Sequence, residues 1–435
     1  MTSLTLLLWI SAALILQLAA WACLGFWRQW RAYRVLLRAA VAHGIAVDAL
    51  TDADLLQAPP TTPPAWPGYR DFRVERKVSE DAAGQVVSLY LVPQDKLPLP
   101  AFLPGQFLTF ALDLPDAKCV EGAAQAVVRC YSLSDAPQPG YYRISVKRAA
   151  APANSTYEAG RASNYLHDQV AVGDVLRVRA PGGHFHLDRS DTPVVLIGGG
   201  VGITPMLSML NWCLAEQPKR ELWLFYGVRH SDELAMPAHL QAMALQHPRL
   251  HLHLCLSEPQ ATPPDGAVSH RSGPVHYHHG RVDIALLRRL LPLKPYHFYI
   301  CGPTPMLQSL VPALEDWGVP EERIHFEAFG PASIPRKKAA SATPGGDAAG
   351  PAPVVRFARS DKQAPWDADL GSLLDFAQAH GVAVDSGCRA GSCGSCQTTI
   401  LSGEVRYLQA PDFRPEPGTC LLCVCTPKTD VTLEA

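Results

Sequence analysis

The sequence lacks an excess of positive charge. Its 38 lysines and arginines are balanced by 40 aspartates and glutamates, and charged residues make up only 18% of the chain. Because nucleic-acid binding depends largely on basic side chains that contact phosphate, this balance argues against a nucleic-acid partner. At 435 residues, 48% of them hydrophobic, the chain is long enough for several domains that each bury a core.

An even distribution of cysteine is also missing. Six of the twelve cysteines fall within the last 48 residues, and the other six are scattered. A secreted disulfide framework would spread its cysteines more evenly, so the crowding indicates a metal site near the C-terminus.

Charged side chains are absent from residues 4–27. As a helix these residues would extend about 36 Å, against a bilayer hydrocarbon thickness of roughly 30 Å. Four arginines follow directly, at positions 28, 31, 34 and 38. We therefore expect a single transmembrane helix in the inner (plasma) membrane, with the catalytic domains in the cytoplasm. A cleaved signal peptide is the alternative, but the positively charged segment that begins such signals is missing.

Changes in composition divide the rest of the chain into further segments. Short apolar runs between Gly/Pro turns predict an antiparallel β-barrel, and alternating strand and helix patterns after it predict an α/β domain with a parallel sheet. The predicted segments are a juxtamembrane helix and Pro-rich spacer (28–67), the barrel (68–188), the α/β domain (189–330), a flexible linker (331–352) and a Cys-rich domain (353–435).

Four histidines lie close together at positions 270, 276, 278 and 279. They could suggest a metal site, but no carboxylate or cysteine stands at ligand spacing beside them. We expect them in a solvated loop.

Arg129-Cys130-Tyr131-Ser132 combines a cation for phosphate, a flat ring for stacking and a hydroxyl donor. Pro104-Gly105-Gln106-Phe107 precedes it, and the runs 142–148 and 160–167 follow. This succession resembles the flavin-binding barrel of the ferredoxin–NADP reductase superfamily, and in particular the reductase half of flavohaemoglobins.

The resemblance implies a role for each matching residue. Arg129 would bind the flavin phosphates, Tyr131 would cover the isoalloxazine, Ser132 would lie near its N5 atom, and Ser163 would meet the pyrophosphate. FAD is expected, with FMN as the alternative. The remaining expected flavin contacts are Phe107, which replaces the family's usual Tyr and loses its hydroxyl, Val146, Lys147 and Gly160.

A Gly-rich loop, residues 198–205, follows the apolar run 194–197 and precedes a helix pattern at 206–214. Glycine lets a backbone approach a pyrophosphate, and a helix N-terminus favours its charge. By resemblance the dinucleotide would meet Gly200, Gly202, Thr204 and Pro205.

Two later segments complete the resemblance. Cys301-Gly302-Pro303 would border the nicotinamide, although Cys301 could instead be an ordinary buried side chain. Phe329 would cover the flavin, and Ser132 and Glu327 would manage the N5 proton and the flavin charge. NADH is expected as the substrate, while Arg229 could attract the 2′-phosphate of NADPH.

Cys388, Cys393 and Cys396 have the spacing Cys-x4-Cys-x2-Cys. This spacing is typical of a [2Fe–2S] cluster, whereas structural zinc prefers paired Cys-x2-Cys knuckles. The segment resembles a plant-type ferredoxin, which implies an α+β β-grasp domain. The same resemblance selects Cys423 as the fourth ligand and leaves Cys420 and Cys425 as spare thiols.

Together these motifs predict a membrane-anchored oxidoreductase. A nicotinamide gives up two electrons together and the cluster accepts one at a time, so flavin connects them. Electrons would pass from NAD(P)H through FAD and the cluster to a one-electron acceptor at the membrane, such as an oxygenase, desaturase, cytochrome or quinone. The alternatives are a reductase for a soluble oxygenase or hybrid-cluster protein, and a membrane-tethered redox sensor without sustained turnover.

Overall fold

The computed structural model describes residues 65–114, 125–151, 159–258, 274–329, 352–389, 391, 393–408, 411, 413 and 415–435. All of them belong to one compact unit that begins at Pro60. The predicted transmembrane helix lies outside the described residues, as do nearly all of the juxtamembrane segment and the linker. Among the residues that the structure describes, no helix is long and apolar enough to cross a membrane.

An antiparallel barrel forms the first domain, as the sequence predicts, and a helix packs on it among the described residues. Its elements are β1 (Tyr69–Ser79), β2 (Val86–Pro93), β3 (Phe107–Leu114), β4 (Gln125–Ser132), β5 (Tyr142–Lys147), α1 (Arg161–Asp168) and β6 (Val175–Gly182). The strand order is β4-β3-β6-β1-β2-β5. A bridge between Leu133, directly after β4, and Ile144 of β5 closes the barrel. Large apolar side chains fill it, among them Phe72, Phe110 and Tyr142.

A six-stranded parallel sheet with helices on both faces forms the second domain. Its strands are β7 (Val194–Gly199), β8 (Leu222–Val228), β9 (Leu250–Leu256), β10 (Val275–His279), β11 (His297–Gly302) and β12 (Ile324–Ala328). Its helices are α2 (Ile203–Glu216), α3 (Pro237–Gln246), α4 (Ile284–Leu290) and α5 (Thr304–Asp316). The strand order is β10-β9-β8-β7-β11-β12. The predicted strand at 194–197 and helix at 206–214 are thus confirmed.

Side chains that alternate along the parallel strands pack into two separate cores, one on each face of the sheet. Leu196 of β7 packs with the α2 and α3 side, and Ile197 packs with the α4 and α5 side. A strand buried on both faces needs a continuous apolar run, which explains the sequence Val194-Val195-Leu196-Ile197.

In its described residues the C-terminal domain combines a mixed sheet with a helix, in agreement with the α+β expectation. Its elements are β13 (Val354–Phe357), β14 (Lys362–Pro365), α6 (Leu373–Ala379), β15 (Gln397–Ser402), β16 (Val405–Tyr407), β17 (Thr419–Leu421), β18 (Cys425–Pro427) and β19 (Val431–Leu433). Five strands form a sheet in the order β14-β13-β19-β15-β17, and β16 pairs with β18. A single 3₁₀ turn, Leu422–Val424, separates β17 from β18.

The prediction of a solvated histidine loop is wrong about the loop for three of its four members, although the side chains of His276 and His279 are exposed as expected. His276, His278 and His279 belong to β10, which pairs in parallel with β9 at the edge of the sheet. His278 Nε2 lies 2.9 Å from Nδ1 of the buried His253. The sequence did not predict this strand because its side chains are mostly polar. Pairing with β9, and not an apolar pattern of its own, holds the strand in place. His270 lies outside the described residues.

Candidate functional site

The predicted nicotinamide loop lies at the carboxyl ends of two neighbouring parallel strands, β7 and β11. From β7 the sheet extends through β8 to β10 on one side, and through β11 and β12 on the other. Ligands of open α/β sheets bind in the crevice at such a switch point. Gly200, with a φ of +53°, has no atom within 4 Å of the place where a Cβ would stand. A phosphate can therefore approach the backbone closely at this residue.

The chain at Gly202 passes β11 too closely for any side chain. A Cβ there would lie 2.1 Å from the carbonyl oxygen of Cys301. Helix α2 begins at the next residue without a side-chain cap, and the positive end of its dipole favours an anion in the crevice. Thr204 and Pro205 are buried in its first turn, where the Thr204 hydroxyl donates to the carbonyl of Val201 (3.0 Å). These two residues shape the turn that carries the glycines.

The segment predicted to border the nicotinamide is split between core and surface. The Cys301 thiol is fully buried, and burial together with the charge of Glu327 raises its pKa well above the ordinary range. Gly302 packs against the neighbouring strand, since a Cβ there would lie 3.0 Å from the Gly199 Cα. Pro303 is exposed at the start of α5. The structure thus brings Pro303 to the crevice and leaves the Cys301 thiol beneath it.

Strand β4 carries the predicted flavin contacts. Arg129 is exposed, and its guanidinium donates to the carbonyl of Val128 (2.8 Å). The Tyr131 ring packs edge-on against Phe110 with centroids 5.6 Å apart, and burial raises the pKa of its hydroxyl. Ser132 is buried and pairs in register with Phe107 of β3. The motif therefore presents an exposed cation and a ring held by packing inside the barrel.

The other expected flavin contacts lie where α1 packs on β5. The Ser163 hydroxyl donates to the carbonyl of Gly160 (3.1 Å) and accepts from the backbone N–H of Ala149 (3.2 Å). The carbonyl of Val146 lies 2.9 Å from Nε2 of His167, and Lys147 is the last residue of β5. These contacts fix the N-terminus of α1, the expected pyrophosphate-binding end, against the barrel.

The four predicted cluster ligands are neighbours in the structure. The backbone N–H of Cys388 donates to Sγ of Cys393 (3.2 Å), and that of Cys393 donates to Sγ of Cys388 (3.3 Å). The thiol of Cys423 contacts those of Cys388 and Cys396. Amide hydrogen bonds to thiolate sulfur are typical of iron–sulfur sites, so the donor set fits a [2Fe–2S] cluster.

The two spare cysteines pair with each other, whereas the thiol contacts of Cys423 are with predicted ligands. Cys420 and Cys425 are fully buried, and their thiols contact each other. They flank the 3₁₀ turn that carries Cys423. Their placement supports the choice of Cys423 as the fourth ligand.

The structure brings one further cysteine, which the sequence did not reveal, to the predicted cluster ligands. Cys130, within the flavin motif, contacts the thiols of Cys388 and Cys393. Alternation along β4 places it on the face opposite Arg129 and Tyr131. That alternation was visible in the sequence, but the identity of the group that covers this face was not.

Glu327 lines a cavity of about 420 Å³ between β12 and the cluster loop. Cys388, Cys423 and Arg389 line the same cavity. The Oε2 atom of Glu327 is buried without a hydrogen-bond partner among the described residues. A buried acceptor of this kind is suited to bind a ligand or to hold a proton. Burial, with the charge of Cys388 added to it, raises the pKa of Glu327 to about 8. Phe329, just beyond β12, is exposed.

Arg229, the predicted attractant for a 2′-phosphate, is already paired. Its Nε atom donates to Glu233 Oε1 (3.0 Å), and Nη2 makes a second, shorter bond to the same oxygen. This acidic partner opposes a phosphate beside Arg229.

Three protein families match successive parts of the chain. They are an oxidoreductase FAD-binding domain over residues 73–187, an oxidoreductase NAD-binding domain over residues 196–311 and a 2Fe-2S iron-sulfur cluster binding domain over residues 355–428. The chain therefore has domains that bind FAD, a nicotinamide dinucleotide and a [2Fe–2S] cluster, as the sequence predicts.

Individual relatives agree with these domains. The flavohemoprotein of Bacillus anthracis is 37% identical over 295 residues, which are 67% of this chain and 69% of that protein. The flavohemoprotein of Halalkalibacterium halodurans is 39% identical over 271 residues, and the chain spans 62% of its length. Among solved structures, the FAD/NAD-binding domain of nitric oxide dioxygenase from Vibrio cholerae has a TM-score of 0.51 and 33% identity, covering 61% of this chain and 100% of that one.

The fold, the site and these matches define a flavin-dependent, nicotinamide-linked oxidoreductase. More narrowly, the chain belongs to the flavohemoprotein-like reductases of the ferredoxin–NADP reductase superfamily, with a 2Fe-2S domain after its NAD-binding domain.

Proposed function

We propose that the chain is an NADH-dependent reductase that passes electrons through FAD to its [2Fe–2S] cluster and on to an external one-electron acceptor. The observation that carries this proposal is the contact of Cys130, in the flavin strand, with the cluster ligands Cys388 and Cys393. This contact places the flavin motif next to the cluster motif, so electron transfer between them needs no external carrier.

The chain's own residues supply binding, orientation and proton handling. Gly200 and the N-terminus of α2 would hold the dinucleotide pyrophosphate, and Arg129 and Ser163 would hold the phosphates of FAD. Bound flavin supplies the step from two-electron to one-electron transfer. Glu327, with its raised pKa and unpartnered Oε2, is suited to hold a proton near the flavin and the cluster.

The pairing of Arg229 with Glu233 supports NADH over NADPH. The 2′-phosphate of NADPH would have to displace a carboxylate that already engages the guanidinium through two nitrogen atoms. The 2′-hydroxyl of NADH needs no such displacement.

Steady-state turnover with two acceptors tests the proposal. Ferricyanide can take electrons from flavin directly, whereas cytochrome c is expected to depend on the cluster. The purified chain should reduce both with NADH, and C423S should lose most cytochrome c reduction while it keeps ferricyanide reduction. Equal cytochrome c rates in both proteins would contradict transfer through the cluster, and a single reduction without turnover would favour a redox sensor.

We further propose that residues 4–27 anchor the chain in the inner membrane and that its acceptor lies there, with the reductase domains on the cytoplasmic side. The support is the uncharged 24-residue run followed by four arginines. L14R/L16R in the full chain adds two charges at mid-span, each unfavourable by about 2.5–3.5 kcal/mol. The variant should move from the membrane fraction to the soluble fraction. An unchanged distribution, or quinone reduction no faster in native membranes than in detergent, would contradict the proposal and favour a soluble oxygenase partner.

A further inference from the structure

Cys130 lies between the barrel and the cluster loop. It pairs in register with Thr109 of β3, whose Oγ1 is 3.4 Å from the Cys130 sulfur. The Cys130 sulfur also contacts the thiols of Cys388 and Cys393. One polar group of the barrel and two cluster ligands thus meet at a single thiol.

The cluster loop contacts the barrel at two neighbouring points as well. A Cβ on Gly387 would lie 2.9 Å from Sγ of Cys393 and 3.7 Å from the carbonyl of Val128. The Arg179 guanidinium of β6 stacks over the Phe413 ring at 5.0 Å, and that ring fills the space beside Gly394. The contact of Cys130 therefore belongs to a packed interface that holds the loop against β4.

The available donors and acceptors determine how the Cys130 thiol can hydrogen-bond to the cluster ligands. Ligand sulfurs of a bound cluster carry no proton, so they can only accept. The Thr109 hydroxyl can donate to the Cys130 sulfur, which leaves the Cys130 S–H free to donate toward the ligands. A third unprotonated sulfur beside the two ligand thiolates would instead be repelled.

We propose that Cys130 is a positioning residue of the iron–sulfur centre, which donates its S–H to the ligand sulfur of Cys388 or Cys393 and thereby raises the reduction potential of the cluster. Reduction adds negative charge to the cluster, and a donor on a ligand sulfur stabilises that charge. Through Cys130, strand β4 would therefore favour reduction of the cluster beside it. This inference rests on the proposed function, because it requires a cluster in place.

Redox titration of the full chain, followed by EPR of the reduced cluster, tests the proposal. Loss of one buried hydrogen bond in C130A should shift the reduction equilibrium about fivefold to tenfold toward the oxidised cluster. At 59 mV per tenfold for one electron, the midpoint falls by about 40–60 mV. C130S keeps a donor and should restore most of the potential. C255A removes a buried cysteine of β9 in the nicotinamide domain and should leave it unchanged.

The outcomes separate this proposal from the one on which it rests. A wild-type chain without a [2Fe–2S] signal after chemical reduction contradicts the proposed function itself. A cluster that is present but has the same midpoint in C130A, or a midpoint that falls as far in C130S, overturns only the role of Cys130. Should C130A lose its flavin, T109V removes the hydroxyl that orients the thiol, and an unchanged midpoint in that variant also overturns the proposal.

Discussion

Replacing Gly202 by alanine should disable the dinucleotide site without changing any group that contacts the flavin or the cluster. The backbone at Gly202 has φ −62° and ψ −5°, which alanine adopts without strain. Space is the obstacle, since the new Cβ would lie 2.1 Å from the carbonyl oxygen of Cys301 and 2.4 Å from its carbonyl carbon. Both neighbours are backbone atoms, so no side chain can rotate away.

The size of the effect follows from this overlap. Real Cβ atoms essentially never approach another heavy atom within 3.0 Å, so the turn and β11 must separate. Overpacking of this kind costs about 1–3 kcal/mol in stability. Loss of one charge-assisted hydrogen bond from the displaced turn to the pyrophosphate removes about 1.5–3 kcal/mol of binding. We expect kcat/KM for NADH to fall by about 10- to 150-fold.

Gly227 provides the matched control. It lies near the end of the neighbouring strand β8 and pairs with Gly199, but a Cβ there would lie 3.4 Å from a methyl group of Val282, an ordinary contact. Ferricyanide reduction by G202A and G227A should be measured at equal flavin content. A kcat/KM for G202A within twofold of that for G227A would refute the argument.

Three further predictions concern the cluster, pH and cofactor selectivity. C423S should lose the [2Fe–2S] absorbance and EPR signals whereas C420S keeps them, and iron content per chain decides between the two thiols. Burial lowers the pKa of His253 from 6.5 to about 3, so between these pH values the unfolded chain binds more protons than the folded chain. The free energy of unfolding should therefore fall by about 2 kcal/mol from pH 7 to pH 5. Hydrogen exchange of β8–β10 peptides should show this loss in the wild type and a smaller one in H253Q. E233Q frees Arg229 and should raise the NADPH-to-NADH ratio of kcat/KM by about tenfold, the effect of one charge-assisted contact.

Local motifs in the sequence predicted most of the fold and of the cofactor chemistry. The run Val194–Ile197, the glycines after it and the helix pattern beyond are all close in the chain, so their geometry follows from short-range sterics. The spacing of Cys388, Cys393 and Cys396 carries the same kind of local information.

Contacts between segments that are distant in the chain could not be predicted from the sequence. Strand β10 consists mostly of histidine and tyrosine and is held by pairing with β9, so its own pattern indicated a loop. Cys130 and Cys388 are 258 positions apart, and only the docking of two domains brings them together. The burial of Cys301 likewise depends on the packing of β7 and α2 against β11, which no motif reports.

Anaerobic titration of the purified chain with NADH determines whether electrons pass from the dinucleotide through the flavin to the cluster. Flavin absorbance and the EPR signal of the cluster should be recorded in the same samples after each addition. The account predicts that NADH alone bleaches the flavin and produces a reduced [2Fe–2S] signal, with electrons distributed between the two centres. A flavin that becomes fully reduced while the cluster, shown to be present by chemical reduction, stays oxidised would contradict electron transfer between them.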